Sequence, residues 1–415
     1  MWNLSNVCGS NLVESMNRNL VFVCLILVSI LSAKAQGECD MSEASLNELG
    51  FENVRMVADG NSIYVALEDP SHRGTFRGAV AALKELYRQS PELRHVCMNI
   101  EEYGVARVCV NALRIDEEWN VTVGYDVDSV KNVLRDVKSS KSTYGKIDVS
   151  LIPIVSLNNH LYDRLFEVGL FFSPSFSTSL WKGNRIIVQP LIPVYTNYDK
   201  YNSHKNVRLG VAAISQDVFE DEHWTGKVAL GSFYQDVVGG YGEIGYRMNS
   251  RLDLGVHFGY SYTSLFYDSK WYLGKPVLCN AMLKGSYYEP RYSFQIQFQC
   301  GRFMFGDWGG RLDVTRHYGE YAIGVYGILT GGEHNGGFHF AIPFGGKRQK
   351  RNGFFRVRLP EYYDMQYSMV SYWRYTWERM GREFEEIPDK NRSAHYWQAE
   401  YIEKYINKML NNTYE

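Results

Sequence analysis

Polar and apolar side chains alternate along the chain from Arg251 to Phe344. In Tyr292–Cys300 one set of alternate positions is aromatic or aliphatic, and the other is Ser or Gln throughout. Because successive side chains of a strand point to opposite faces, this pattern predicts a strand between an apolar medium and water. Leu252–Phe266 repeats it, with Asp253 on the polar side.

A hairpin is predicted from Val277 to Cys300. A turn at Glu289-Pro290 would place Leu283 opposite Ile296 and Cys279 opposite Cys300, so that both strands keep one apolar side. A strand of a soluble sandwich can show the same alternation. The membrane assignment therefore depends on the number of such segments and on an export signal.

The alternation predicts a mainly β fold, an antiparallel transmembrane outer-membrane β-barrel over residues 146–376. We expect about 12 to 14 strands and an even number, because a closed bacterial barrel leaves no unpaired edge in lipid. The longer connections Asn197–Lys205 and Gln216–His223 are assigned to the outside face. The predicted strands are Ile147–Leu157, Val168–Phe176, Arg185–Tyr195, Val207–Ile214, Thr225–Gln235, Tyr241–Arg247, Leu252–Phe266, Pro276–Tyr288, Arg291–Phe303, Gly309–His317, Tyr321–Leu329, Gly337–Phe344 and Gly353–Leu359.

Residues 41–140 predict a small α+β periplasmic domain before the barrel. The Asp59-Gly60 pair between two apolar runs is a strong hairpin signal. Apolar residues recur at helical spacing in Thr75–Gln89, and a second helix is expected at Val127–Val137. The predicted strands are Asn53–Ala58, Ser62–Leu67, His95–Ile100, Ala106–Leu113 and Trp119–Tyr125.

The tail, residues 377–415, has a different pattern. Apolar residues at three- and four-residue spacing predict an amphipathic helix over Ala394–Leu410. We expect this helix to pack against the periplasmic domain or the barrel mouth. A pore plug is the alternative.

The amino end predicts a cleaved signal peptide over residues 1–35. Asn17-Arg18-Asn19 forms a short basic region, an apolar run follows, and Ala33-Lys34-Ala35 is a cleavage site. Met16 is a better start than Met1. Cys39 raises a lipoprotein alternative, but the residues before it lack the small side chains of a lipidation site. Export predicts the outer membrane of a Gram-negative bacterium.

Composition agrees with a barrel. The chain is 15% aromatic, with 31 Tyr and 37 Gly, and barrels need aromatic girdles at both interfaces. The net charge of −2 argues against nucleic-acid binding. The basic cluster Lys347–Arg351 is interpreted as a solvated turn, with contacts to acidic glycans or lipid head groups as the alternative.

Cysteine spacing indicates no metal or cofactor site, and disulfides are possible. The chain has no CxxC and no HExxH motif. An oxidising compartment permits the pairs Cys97–Cys109 and Cys279–Cys300. The first pair requires that its residues lie on adjacent strands, and the second follows from the predicted hairpin register.

The segment Gly301–Arg316 resembles the YjbH family of outer-membrane exopolysaccharide proteins, also called GfcD-like. That family carries a Gly-Arg, Gly-Asp-x-Gly, Leu-Asp-x-(Ser/Thr)-Arg run here, then an aliphatic-Gly strand, a Gly-Gly loop and an Ile-Pro-Phe strand end. The segments that fit its pattern are Tyr321–Tyr326, Gly331-Gly332-Glu333, Ala341–Phe344, Gly239–Arg247, Tyr64–Asp69 and Arg73–Gly78.

The resemblance implies export or assembly of an extracellular or capsular polysaccharide, with outer-membrane lipid and periplasmic polysaccharide-export proteins as partners. A polar lumen could exchange hydrogen bonds with sugar hydroxyls at many weak sites. Simple filling of a barrel interior is the alternative for each residue. The candidate lumen-lining residues are Asp253, His257, Lys284, Gln295, Gln297, Gln299, Arg311 and Asp313. Arg311 and Asp313 with Asp307 form the best predicted charge cluster.

Two other classes of function are weighed. A general porin-like or structural barrel with a periplasmic interaction domain would need no specific cargo. An outer-membrane lipid hydrolase would need a nucleophile, a base and an acid, but the chain has no GxSxG motif and no Ser, His and acidic trio can be singled out. We therefore expect no enzyme activity.

Overall fold

The computed structural model describes residues 41–72, 75–115, 118–159, 166–197, 205–234, 236–267, 270–344, 351–369, 374–375, 378–385 and 397–411. The predicted signal peptide lies outside the described residues. The described part of the chain is mainly β, with two sheets and a C-terminal helix, which confirms the predicted mainly β fold. No helix in these ranges combines the length and apolar character needed to cross a membrane.

The elements of the region with the smaller sheet are α1 (Met41–Leu49), β1 (Glu52–Asp59), β2 (Ser62–Glu68), α2 (Arg77–Gln89), β3 (His95–Glu102), β4 (Val105–Ile115), β5 (Glu118–Gly124) and α3 (Asp128–Val133). The smaller sheet has five strands in the order β1-β2-β3-β4-β5, and only the β2–β3 pair is parallel. Helix α2 connects these two parallel strands, as a parallel pair requires.

The local signals of this region predict its elements well. Gly60 has φ +58°, as the turn between β1 and β2 requires. Ala79, Ala82 and Leu83 lie on one face of α2 and are buried against the sheet. The helices α2 and α3 begin or end a few residues inside their predicted bounds.

The larger sheet has 14 strands, and from β6 to β17 each strand pairs antiparallel with the next. Every strand predicted in residues 146–376 overlaps an observed one, and only β19 is absent from the prediction. The strands are β6 (Ile147–Asn159), β7 (Phe166–Thr178), β8 (Asn184–Thr196), β9 (Arg208–Glu220), β10 (Trp224–Phe233), β11 (Val237–Arg247), β12 (Leu252–Tyr267), β13 (Lys270–Glu289), β14 (Phe294–Arg302), β15 (Trp308–Tyr318), β16 (Tyr321–Thr330), β17 (Glu333–Pro343), β18 (Phe355–Arg358) and β19 (Tyr362–Ser368).

Strand β6 has neighbours on both sides. One side pairs antiparallel with β7 over the length of the strand. The other side pairs parallel with β18, from Phe355 opposite Ile147, and with β19 at Ser368 opposite Asn158. The first strand of the sheet therefore meets its last two strands.

The two faces of this sheet have reversed polarity. In β14 the side chain of Gln295 is fully buried, whereas Ile296 and Phe298 are exposed. In β16 Val325 is 60% exposed, and its neighbours along the strand alternate between exposed and buried. A strand of a water-soluble protein buries its apolar side chains. Here the open face is apolar, and the covered face carries the polar side chains together with some apolar ones such as Tyr326 and Ile328.

The register of the β13–β14 hairpin differs from the prediction. Leu283 is opposite Cys300, and Tyr287 is opposite Ile296. The turn lies after Glu289, which accepts a hydrogen bond from the Arg291 amide and is paired with Phe294. The turn centre moves by two residues, so each side chain keeps its predicted face.

The four described cysteines are free in this structure, so neither of the possible disulfides is formed. Cys300 is opposite Leu283 rather than Cys279 because of the changed register. Cys97 lies on the strand next to Cys109, as predicted, but its register partner is Asn111. The two residues are therefore staggered along neighbouring strands.

The two long connections were predicted on one outside face, and that prediction is wrong. Strand β9 includes residues 216–220, so the second connection is only the short turn at 221–223. This turn and the connection after β8 lie at opposite ends of β9. Most of the first connection, residues 198–204, lies outside the described residues.

Helix α4 (Ala399–Asn411) covers the free edge of the smaller sheet. The Asn407 side chain accepts a hydrogen bond from the Val121 amide at 3.0 Å and donates one to the Val121 carbonyl at 2.8 Å. Asn411 forms the same two bonds with Trp119. Four residues of helix rise about 6 Å and two residues of strand about 6.8 Å, so the two ladders match. The helix thus protects an edge strand.

The helix begins five residues later than predicted. Trp397 and Gln398 precede it, and residues 394–396 lie outside the described residues. The Ala399 amide donates to the Tyr125 hydroxyl at 3.2 Å, which satisfies one of the free amides of the first turn. The predicted packing against the smaller sheet is observed, since Ile402 and Ile406 join its core.

Replacing Asn407 with Ala should release the β5 edge. The Val121 amide and carbonyl would lose their partners, and we expect a loss of about 1–3 kcal/mol in the local free energy of opening. Hydrogen exchange of the Val121 amide measures it. Lys408→Ala, on the exposed side of the same helix, is the control; equal exchange in both variants would contradict the role of Asn407.

Candidate functional site

The eight predicted lumen-lining residues all lie in the larger sheet, on its buried polar face. His257 and Gln295 are themselves buried. Asp253 lies four positions before His257 along β12, and Gln297 and Gln299 alternate with exposed residues along β14. The structure therefore places the set on one face, where it divides into two charged clusters and a polar remainder.

The first cluster joins strands β11, β12 and β13. Lys284 Nζ lies 3.5 Å from Glu243 Oε2 and 3.5 Å from Glu383 Oε2. His257 Nδ1 lies 3.3 Å from Glu243 Oε2, and these two residues are opposite each other in register. Gln299 Nε2 donates to Glu383. The Lys284 ammonium is half-buried and is held between two carboxylates.

The second cluster surrounds Asp313 on β15. Arg311 Nη2 lies 3.0 Å from Asp313 Oδ2, and His339 Nε2 lies 2.8 Å from Asp313 Oδ1. Arg311 also lies over the Tyr326 ring, 4.2 Å from its centroid. Asp307, predicted to join this cluster, lies in the turn before β15 and accepts instead from the Thr330 hydroxyl and the Gly381 amide.

The remaining predicted residues lie outside these clusters. Gln295 Nε2 donates to the Ser286 hydroxyl at 3.0 Å, and its Oε1 lies 3.2 Å from His317 Nε2. Asp253 accepts from Gln398 Nε2 at 2.7 Å, beside the start of α4. Gln297 lies between Ser286 and Asp313 in register.

Residues 378–385, named here the inner arm, lie against the same polar face. The Phe384 ring contacts Phe233, Tyr241 and His257, with centroids 5.1, 5.3 and 5.8 Å away. The Arg382 carbonyl accepts from the Met304 amide at 3.0 Å. Side chains of the arm thus occupy the face that was predicted to line an open lumen.

Sequence reasoning missed Glu243, His339 and the arm. The alternation of β11 and β17 would have placed Glu243 and His339 on the polar face, because both lie on strands with period-two patterning. Glu383 and Phe384 lie in an irregular segment without periodicity, and only the tertiary structure brings them to this face. Among the described residues, no three His, Cys, Asp or Glu side chains are placed to hold a metal ion.

A second buried charge network joins the two sheets. Glu52 of β1 lies 2.7 Å from Arg351 Nε and 3.2 Å from Arg356 Nη2. Asp148 of β6 lies 2.9 Å from Arg351 and 3.2 Å from Arg356. The side chains of Glu52 and Arg356 are each 1% exposed. Burial raises the pKa of Glu52, but the Arg351 hydrogen bond and the arginine charges outweigh it, so its pKa is below the ordinary value.

The prediction of a solvated turn at 347–351 is wrong for Arg351, the last residue of that segment. Arg351 is buried in the network with Glu52, and its Nη1 donates to the Ile147 carbonyl at 3.1 Å. Residues 347–350 lie outside the described residues. A buried guanidinium needs carboxylate partners, and two strands of different sheets supply them.

Further ion pairs join the smaller sheet to one end of the larger sheet. Arg107 of β4 lies 2.5 Å from Asp217 and 2.5 Å from Glu220, both on β9. Arg77 of α2 lies 2.9 Å from Glu320 in the turn between β15 and β16. These pairs fix which end of the larger sheet meets the smaller one.

In comparisons with known proteins, no protein-family model and no curated protein matched the chain.

We expect Glu52→Gln to destabilise the protein at neutral pH by about 3–5 kcal/mol, because Asp148 by itself then has to neutralise two buried arginines. The pKa of Glu52 is lowered in the fold, so its contribution is present above 4.5, its ordinary pKa, and is lost as the pH falls below that value. To test this, the unfolding free energies of the wild-type protein and of Glu52→Gln are measured at about one-unit intervals from about pH 3 to about pH 7. Glu92→Gln, an exposed residue of the same region, is the control.

Glu101 predicts a pH effect in a different range. Burial raises its pKa to about 7, against the opposing charges of Arg55 and Lys182. Above its ordinary pKa of 4.5 the unfolded chain releases a proton that the folded protein keeps. Stability from this group therefore falls as the pH rises from 4.5 to about 7. Glu101→Gln should remove that slope in the unfolding free energy, and an unchanged slope would refute the assignment.

Proposed function

We propose that this chain is an outer-membrane β-barrel protein that takes part in export or assembly of an extracellular polysaccharide. The reversed polarity of the larger sheet carries the proposal. A row of exposed Ile, Val, Leu and Phe side chains is stable against lipid tails, whereas water would favour burying it. The buried face carries the glutamines and charges that a lumen needs.

The pairing of β6 supports closure of the sheet into a barrel. Its two edges meet β7 on one side and β18 and β19 on the other. Strands β6 to β17 supply twelve positions around the ring and β19 the thirteenth. Thirteen positions do not match the even number expected from the sequence, and an odd number makes the closing pair parallel, which is the observed direction. A closed sheet leaves no amide edge in lipid.

Exposed aromatic residues support the same orientation in a bilayer. Trp224, Tyr318 and Tyr321 are exposed at the end of the sheet near the smaller sheet. Trp271 and Trp308 are exposed at the other end. Aromatic side chains favour the two membrane interfaces. The smaller sheet then lies in the periplasm, where the predicted signal peptide would deliver it and where periplasmic export proteins could bind it.

The polysaccharide role combines this architecture with the resemblance to the YjbH family. The polar face offers amide, hydroxyl, carboxylate and cationic groups, which match the donors and acceptors of sugars. Many weak contacts allow a chain to move without being held.

A structural barrel without cargo is the second candidate. The observation that favours it is the inner arm, whose Glu383 and Phe384 fill part of the polar face. A barrel packed by its own chain would stabilise the membrane assembly and present the smaller sheet to partners.

Deletion of the gene and measurement of surface polysaccharide separate the two candidates. We expect a clear loss of the extracellular glycan, restored by the wild-type gene. Unchanged glycan would leave the structural barrel as the better account.

Val325→Arg tests the membrane assignment. Val325 is 60% exposed on the apolar face, and a cation at the bilayer midplane costs about 2–4 kcal/mol. We expect that loss in denaturant unfolding of the protein in lipid vesicles. Val133→Arg, an exposed valine of the smaller sheet region, should change stability little. Two equally stable variants that stay soluble without detergent would refute the barrel.

A further inference from the structure

The inner arm crosses a large part of the polar face. Its residues contact β10 and β11 through Phe233 and Tyr241, and β13 through Lys284. At the turn between β16 and β17, a side chain added at Gly331 would lie 2.1 Å from the Met380 methyl group. The arm therefore spans strands that are several positions apart in the sheet.

Particular residues of the wall make room for the arm. A Cβ at Gly259 would lie 2.7 Å from the Phe384 ring, so only glycine fits beneath that ring. Gly381 has φ +68°, and its amide donates to Asp307 Oδ2 at 2.8 Å. Met380 is buried with Met282 and Tyr326. The arm is therefore fitted to the wall at three points, which are the Phe384 ring, the buried Met380 side chain and the Glu383 carboxylate.

The ion pair between Glu383 of the arm and Lys284 of the wall can separate without leaving Lys284 unpaired. Lys284 lies at 3.5 Å from Glu383 of the arm and at the same distance from Glu243 of the wall. If Glu383 leaves, Glu243 still neutralises Lys284. The Tyr241 and His257 rings are stacked on each other in a contact that does not include Phe384.

Both flanks of the arm are held in place. Tyr375, before the arm, is buried in one cluster with Met380 of the arm, and α4, after it, is fixed to β5 by Asn407 and Asn411. A segment anchored at both sides can leave the wall without being lost from the protein.

We propose that the inner arm is an internal plug, and that passage of a glycan requires it to withdraw from the polar face. This inference rests on the proposed function, because it assumes a lumen. Lys284, Gln299 and His257 bind either the arm or the sugar hydroxyls of a passing chain. The plug keeps the membrane sealed when no glycan is present.

Single-channel conductance in planar lipid bilayers tests the plug. Glu383→Lys places two cations together, and a second variant replaces residues 378–385 with a Gly-Ser segment of the same length, which keeps α4 in place. We expect wild-type protein to conduct weakly and both variants to conduct several-fold more. Glu378→Gln, an exposed residue of the arm whose partner Arg374 is also exposed, should behave as wild type.

The outcomes separate the plug from the barrel. Gel mobility before and after boiling reports a folded barrel for each sample. If the Gly-Ser protein shifts on heating yet conducts no more than wild type, the plug is refuted while the barrel stands. If wild-type protein shows no heat-dependent shift and never inserts, the proposed function fails and the plug fails with it.

Discussion

The reversed polarity of the larger sheet is the constraint on which the other features depend. Because the polar side chains face the covered side, where charge is solvated less well than in water, every charge there needs a partner. This is why Lys284 lies between two carboxylates and why Asp313 meets both Arg311 and His339. Under the proposed membrane assignment, the apolar face contacts lipid and both edges of the sheet are paired.

The smaller sheet depends on the larger one through buried charge and on α4 through its edge. Glu52 and Asp148, from different sheets, share Arg351 and Arg356. None of these groups could be buried alone, because each isolated charge would carry a large desolvation cost. The C-terminal helix adds a second connection, since its asparagines replace the missing neighbour of β5. The two sheets are therefore held by complementary interactions at different points.

The inner arm and helix α4 make contacts in two different places, which a single helix could not do. The irregular arm fills the polar face, and the helix closes the smaller sheet. The arm contributes Glu383 and Phe384 to a wall built by five consecutive strands, so the interior is completed by residues remote in sequence. Its contacts combine a shared ion pair, an aromatic group and a buried methionine.

Local pattern in the sequence determined the strands, their faces and the five-stranded sheet, because side-chain period and turn residues act within a few positions. It placed all eight lumen candidates on one face, since an even change of register at β13–β14 does not alter the face. Only the tertiary structure decided which charges meet. His339 rather than Asp307 joins the Arg311–Asp313 pair, Arg351 is buried instead of solvated, and the arm covers the wall. Those pairings join residues far apart along the chain, and no local period encodes them.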